Sequence, residues 1–161
     1  MKKIIYLLTV FFAILMVYSG CKKDEGSSST PVKYDSAIVS GKAEVNLNKT
    51  NDTAGIVMEK VPAGTVLHIR YNSKDLVTVP VAGATYGDVF LTTQVSSAGT
   101  YSFSVPVNLN PVTVHITADE FEYQQVQADT TTQRVIFGLN EVSVVVTRGQ
   151  KKIVDLTFAA Q

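Results

Sequence analysis

Apolar and polar residues alternate along most of the chain from residue 37 onward, and this alternation predicts β-strands. In residues 39–47, for example, apolar or small residues occupy every second position and polar residues lie between them. A period of two residues, with many β-branched and aromatic side chains, is typical of strands that bury one face. A further segment, 76–81, is expected at a sheet edge, because Pro80 has no backbone donor. The segments that alternate in this way are 39–47, 56–61, 65–71, 89–95, 101–107, 112–117, 121–126, 134–137, 142–146 and 153–158.

The spacing of these segments predicts an all-β fold. No stretch of ten residues combines the 3.6-residue apolar period of an amphipathic helix with capping residues. Seven to nine short strands at regular spacing favour an antiparallel β-sandwich, formed as a single domain by residues 37–161. Segments 89–95 and 101–107 flank a short turn at 96–99, and we expect these two segments to pair as a β-hairpin.

The first 20 residues have a different pattern, which is typical of a signal peptide. Lys2 and Lys3 precede an uninterrupted apolar run over residues 4–17. Fourteen helical residues would span about 21 Å, which is shorter than the roughly 30 Å hydrocarbon core of a bilayer. The sequence therefore favours a cleaved signal peptide over residues 1–20 rather than a transmembrane helix.

Small residues directly before a cysteine follow the apolar run, in the sequence Val-Tyr-Ser-Gly-Cys over residues 17–21. This stretch resembles a bacterial lipobox, and the resemblance implies cleavage before Cys21 and attachment of lipid to its sulfur. Lys22, Lys23 and the two acidic residues after them resemble the surface-export signal of Bacteroidota lipoproteins. Residues 21–36 would then form the lipidated end and a flexible, Ser-rich linker. We expect a protein anchored by lipid to the cell outer membrane and exposed at the surface.

The order of turns and strands carries a second resemblance. The relevant segments are Ser-Gly-Lys-Ala at 40–43, Pro-Ala-Gly-Thr-Val at 62–66, the stretch 92–103 with its Ala-Gly turn, and the closing segment 144–156. Together they resemble the carboxypeptidase-regulatory-like, transthyretin-like (prealbumin-like) β-sandwich domain, whose architecture is related to that of immunoglobulin-like sandwiches. The resemblance implies a stabilising or docking role rather than a chemical reaction.

Charge and cysteine content exclude several classes of function. The chain has 14 basic and 14 acidic residues, and two of the basic residues belong to the leader. A nearly neutral domain lacks the clustered Lys and Arg on which nucleic-acid binding depends, so we expect no nucleic-acid partner. Cys21 is the only cysteine, which leaves no disulfide and no cysteine-based metal site.

The sequence contains no recognisable catalytic motif, and we expect a non-enzymatic protein without a cofactor. The two histidines, His68 and His115, both fall on the polar face of a predicted strand. They could join a metal site if their strands were neighbours and a carboxylate completed the set. Solvated or cross-strand histidines are the more common outcome, so we predict no catalytic residues and no metal site.

Two functions stay open at this stage. The first is a lipid-anchored scaffold or protein-interaction module of the cell envelope. The second is a glycan-binding accessory lipoprotein of a polysaccharide-uptake system. Sugar sites combine an aromatic face with hydrogen-bonding side chains, and these types occur together on both sides of the longest irregular segment. The candidate ligand-binding residues are Tyr71, Asn72, Asp75, Tyr86 and Asp88.

Overall fold

Eleven strands form two β-sheets in this computed structural model, which describes residues 35–161. The predicted leader, the lipobox and Cys21 lie outside the described residues. Two short 3-10 helices, Lys49–Asn51 and Ser73–Leu76, are the only helical turns within the described range. The strands are β1 (Asp35–Val45), β2 (Glu59–Lys60), β3 (Val66–Asn72), β4 (Asp88–Gln94), β5 (Thr100–Val107), β6 (Val112–Ala118), β7 (Phe121–Val126), β8 (Thr132–Gly138), β9 (Val142–Val146), β10 (Lys151–Ile153) and β11 (Leu156–Ala160).

The larger sheet has seven strands and is arranged around the long strand β1. The first part of β1 pairs with β5 in antiparallel orientation and with β10 in parallel orientation. The second part pairs with β2 and, in parallel orientation, with β11. The sheet then continues from β11 through β8 to β7. One strand therefore holds four others in register.

The smaller sheet has four strands in the order β4-β3-β6-β9, and every pair in it is antiparallel. Residues of β3 alternate between buried and accessible positions, with Leu67, Ile69 and Tyr71 buried. The alternate residues of all four strands consequently form an outer face that does not contribute to the core.

Apolar side chains from both sheets form one hydrophobic core. Its largest fully buried members are Phe137 and Leu156 of the larger sheet and Leu67, Ile69 and Ile116 of the smaller sheet. Burial of each such side chain stabilises the fold by about 1.5–3 kcal/mol relative to exposure. The predicted all-β class is thus confirmed, and the alternating residues point inward as the pattern indicates.

The strand number and the pairing differ from the prediction. Eleven strands are present instead of seven to nine, and two pairings of β1 are parallel. The predicted strand 153–158 is divided into β10 and β11, because the ladder with β1 is interrupted at Val154 and Asp155 and resumes in the same register at Leu156. The backbone N–H of Val154 donates to the Ser40 carbonyl at 2.9 Å, and the Asp155 carboxylate accepts from the Lys42 N–H at 2.9 Å.

The predicted hairpin of residues 89–95 and 101–107 is wrong. β4 pairs with β3, whereas β5 pairs with β1, so the turn at 96–99 carries the chain from one sheet to the other. Both strands still direct their apolar residues into the core, but from opposite sides of it. The predicted edge segment 76–81 is wrong as well, since a 3-10 helix ends at Leu76 and no strand follows before Asp88.

No helix in the described part of the chain has the length and apolar character needed to cross a membrane.

Candidate functional site

Polar side chains concentrate on the outer face of the four-stranded sheet. β3 contributes Arg70 and Asn72, and β6 contributes His115, because these residues alternate with buried ones along each strand. Asp88 at the start of β4 and Glu141 just before β9 bring two carboxylates to the same face. We call these five residues the sheet-face cluster.

The guanidinium of Arg70 joins the two carboxylates of the cluster. Its Nη1 donates to Asp88 Oδ2 at 3.2 Å, and its Nη2 donates to Glu141 Oε2 at 3.4 Å. The hydrogen bond to Asp88 is the main reason why the pKa of Arg70 is raised. The positive charge of Arg70 is therefore shared by two partners within the protein.

Asn72 holds Asp88 from a second direction. Asn72 Nδ2 donates to Asp88 Oδ1 at 2.9 Å, while Asn72 Oδ1 accepts from the Lys74 N–H at 3.0 Å and caps the 3-10 helix that follows. Hydrogen bonds from Asn72 and then Arg70 lower the pKa of Asp88. Asp88 is consequently a fixed, ionised acceptor at neutral pH.

His115 contacts both a carboxylate and a hydroxyl through one ring nitrogen. Its Nδ1 lies 2.8 Å from Glu141 Oε1 and 3.0 Å from Ser143 Oγ. The bond to His115 lowers the pKa of Glu141. In a serine-histidine-acid triad, the hydroxyl and the carboxylate bind opposite nitrogens of the ring. The geometry at His115 differs from that of a triad, because both groups share Nδ1.

A partly open cavity of about 360 Å³ lies beside this cluster. Asp75 is one of its lining residues, and its carboxylate is held in place because Oδ2 accepts a hydrogen bond from the Thr113 N–H at 3.1 Å. The cavity presents both donors and acceptors, and this combination suits a small ligand that carries many hydroxyl groups. The lining residues are Arg70, Tyr71, Asn72, Asp75, Asp88, Thr113 and His115.

The structure brings four of the five predicted site residues to this cavity. Asn72, Asp75 and Asp88 contribute polar atoms, whereas Tyr71 is only 3% exposed and packs in the core. Burial also raises the pKa of Tyr71. The ring of Tyr71 offers no free aromatic face. Tyr86 is not among the lining residues, and its hydroxyl oxygen accepts from the Val81 N–H at 2.9 Å within the loop.

Sequence analysis missed the exposed aromatic residue of this face, which is Phe90. Its side chain is 69% exposed, and it pairs directly with Arg70 in the register of β3 and β4. Directly paired residues of neighbouring strands point to the same face of a sheet. The signal was available, because Phe90 lies between Val89 and Leu91, which occupy the opposite, inward face.

The two histidines lie on neighbouring strands, as a shared metal site would require, but each binds its own carboxylate. His68 Nε2 lies 2.7 Å from Asp119 Oδ1, and His115 binds Glu141. Among residues 35–161, no three His, Cys, Asp or Glu side chains are grouped so that they could hold a metal ion.

Comparisons with known proteins give only distant similarities. No protein-family model matches the chain, and no curated protein matches it in sequence. The plantain pollen allergen Pla l 1 has a TM-score of 0.39 and 16% identity, over 78% of this chain and 94% of the allergen. A candidate polysaccharide-binding protein (DUF1812) from Bacteroides thetaiotaomicron has a TM-score of 0.41 and 8% identity, over 77% of this chain. The match covers 47% of that second protein.

Proposed function

We propose that this protein is a lipid-anchored, non-enzymatic carbohydrate-binding module of the bacterial cell envelope. The lipobox-like sequence ending at Cys21 supports the anchor and an outer-membrane location. The resemblance to transthyretin-like sandwich domains supports a stabilising or docking role rather than a reaction. Fold alone does not define function, so the ligand class is argued from the site.

The observation that carries the proposal is the convergence of fixed donors and acceptors around one open cavity. Sugar hydroxyls both donate and accept hydrogen bonds, so they need partners of both kinds within a short distance. Arg70 and Asn72 supply donors to the 360 Å³ cavity, and Asp75 and Asp88 supply acceptors to it. Arg70 and Asn72 both bond to Asp88, and Asp75 bonds to the Thr113 N–H. Little of the conformational freedom of these side chains would therefore be lost when a ligand binds.

The shared nitrogen of His115 supports a role in binding. The hydroxyl of Ser143 and the carboxylate of Glu141 both meet Nδ1, so the imidazole is not positioned between a nucleophile and an acid. In our proposal, His115 and Glu141 act as hydrogen-bonding groups at the edge of the sugar site.

Affinity electrophoresis of the full chain, purified in detergent, tests this proposal. Polysaccharide in the gel should retard the wild-type protein, and Asn72→Ala should lose that retardation because Asp88 loses a partner at the cavity. Gln133→Ala changes an exposed amide on the other sheet and should leave the retardation unchanged. Equal retardation of all three proteins, or none with any polysaccharide, would contradict carbohydrate binding at this face.

Protein docking is the second candidate function, and it has a separate observation in its favour. Val79, Val81 and Leu109 are 75%, 67% and 67% exposed in two loops. Side-chain amides join these loops, since Asn108 Nδ2 donates to the Leu76 carbonyl at 3.0 Å and Asn110 Nδ2 donates to the Val77 carbonyl at 2.8 Å. Loops that are joined in this way and carry exposed apolar side chains offer an apolar surface to a protein partner.

Cross-linking on intact cells distinguishes the docking function. A photo-reactive residue in place of Leu109 should capture an envelope protein, whereas the same residue in place of Ile153, which is 77% exposed on β10, should not. Capture at neither position would leave no support for docking through these loops.

A further inference from the structure

We infer that the sheet-face site selects uncharged sugars, with one ring stacked on Phe90, and rejects sugars that carry a carboxylate. This inference rests on the proposed carbohydrate binding, and it adds the stacking residue and the chemical class of the ligand. Three features of the outer face support it, which are an exposed aromatic ring, a continuous row of side chains and an excess of carboxylates.

Phe90 is an exposed aromatic residue on a largely polar face, to which β9 also contributes Val145, 51% exposed. Two polar residues of β4, Asp88 and Thr92, share this face with Phe90. The residue of β3 that pairs with Phe90 is Arg70. Large aromatic side chains dominate binding energies because each buries a large apolar area. The C–H face of a sugar ring matches such a surface, while the hydroxyl groups at its edge need polar partners. Phe90 and the cavity that Arg70 and Asp88 line would provide both.

Phe90 also begins a row that crosses all four strands. Phe90 pairs with Arg70, Arg70 pairs with His115, and His115 pairs with Ser143. Strands are spaced by about 4.8 Å, so the row extends for about 14 Å. That length exceeds a single sugar ring, and the ligand would therefore be an oligosaccharide lying across the strands.

The charge of the face determines which sugars fit. Two carboxylates, those of Asp88 and Glu141, bond to the single guanidinium of Arg70, and a third, that of Asp75, lines the same cavity as Arg70. Hydroxyl groups would donate to these carboxylates in charge-assisted hydrogen bonds. A uronate carboxylate would instead meet these negative charges beside a guanidinium that already bonds two of them, and such repulsion excludes ligands effectively.

Glycan binding by the full chain tests the inference with matched probes. β-1,4-Mannan and polymannuronate form one pair, in which the acidic member carries carboxylates in place of primary alcohols. Fully methyl-esterified polygalacturonate and free polygalacturonate form another, in which the neutral member carries esters in place of carboxylates. We expect the protein to bind at least one neutral polysaccharide at least about tenfold more tightly than its acidic counterpart. We also expect Phe90→Ala to weaken that binding about tenfold.

The matched control for Phe90→Ala is Ile153→Ala, which removes an exposed apolar side chain from the other sheet and should not change binding. Circular dichroism and thermal unfolding establish that both variants are folded. Preference for the acidic member of either pair would overturn the selectivity while the proposed carbohydrate binding stands. Unchanged affinity of Phe90→Ala would overturn the stacking. Binding to none of the four would overturn the proposed function together with this inference.

Discussion

Gly41 lies so close to Val154 that a β-carbon at residue 41 would be 1.9 Å from the Val154 carbonyl oxygen and 2.6 Å from its carbonyl carbon. The contact occurs where β1 exchanges β10 for β11 as its parallel partner. On either side of it, Ser40 and Lys42 bond to residues 154 and 155. The junction of three strands therefore depends on the absence of a side chain at residue 41.

Gly41→Ala should lower the free energy of unfolding by roughly 3 kcal/mol, because backbone atoms of Val154 would have to move out of their hydrogen bonds. Urea denaturation of wild type and variant measures the difference. Gly87→Ala is the matched control, since a β-carbon there meets nothing within 4 Å, and we expect a change within about 0.5 kcal/mol. Similar losses of unfolding free energy for both substitutions would show that close packing at residue 41 does not cause the destabilisation.

Tyr101, on β5, binds the carbonyl of Val154 that lies against Gly41. Its hydroxyl donates to the Val154 carbonyl at 2.5 Å, and the side chain is 4% exposed. Tyr101→Phe removes this donor and should lower the free energy of unfolding by about 1 kcal/mol at neutral pH. Urea denaturation at pH 7 measures it, and an unchanged value would mean that the hydrogen bond contributes nothing to stability.

The stability of the domain should fall at alkaline pH. Burial, followed by the charge of Asp155, raises the pKa of Tyr101 from 10.0 to about 12. The folded state consequently retains a proton that the unfolded state releases, so the stabilisation is complete below pH 10 and decreases as the pH rises toward 12. Denaturation between pH 9 and pH 11 should give a steeper decline for wild type than for Tyr101→Phe. Identical slopes would contradict this assignment.

The sheet-face cluster should lose its stabilising effect in acid. The pKa of Asp88 and that of Glu141 lie below their ordinary values of 3.8 and 4.5, because Asn72 bonds the first and His115 the second. Stability from these groups is present above the ordinary values and is lost as the pH falls through the lowered ones. Asp88→Asn should flatten the acid limb of a plot of unfolding free energy against pH. If the unfolding free energy of Asp88→Asn fell with decreasing pH as steeply as that of wild type, the prediction would be contradicted.

Membrane attachment should depend on Cys21. Cys21→Ser removes the sulfur that would carry lipid, so we expect the protein to lose palmitate labelling and to retain its signal peptide. On cell fractionation, we expect a smaller share of the protein in the outer-membrane fraction. A matched Ser19→Ala variant keeps a small residue in the lipobox-like stretch and should be processed normally. A Cys21→Ser protein that is still processed and membrane-bound would contradict the lipid anchor.

The strands could be predicted from the sequence with good accuracy, because alternation depends on which face each strand buries. Residues 121–126 and 142–146 form β7 and β9 at the predicted bounds. Pairing could not be predicted in the same way, since β4 and β5 have the pattern of a hairpin and also of two strands that face each other across a core. The turn at 96–99 suits either arrangement.

Part of the site was predictable for a related reason. Asn72 and Asp88 lie at the ends of β3 and β4, and those ends meet because the two strands pair. His115 and Glu141 come from β6 and the residue before β9, and their position beside Arg70 follows from a strand order that the sequence pattern does not contain. The outward position of Phe90 follows from the alternation of residues along β4 alone, and that alternation is visible in the sequence.

Nuclear magnetic resonance titration of the unlipidated chain with mannan and galactan oligosaccharides tests the central claim most directly. The amides that shift should be those of the outward residues in β3, β4, β6 and β9, with the largest changes at Arg70, Asp88, Phe90 and His115. The seven-stranded sheet should not respond. Shifts concentrated on that sheet, or no shifts with either sugar, would contradict a carbohydrate site on the four-stranded face.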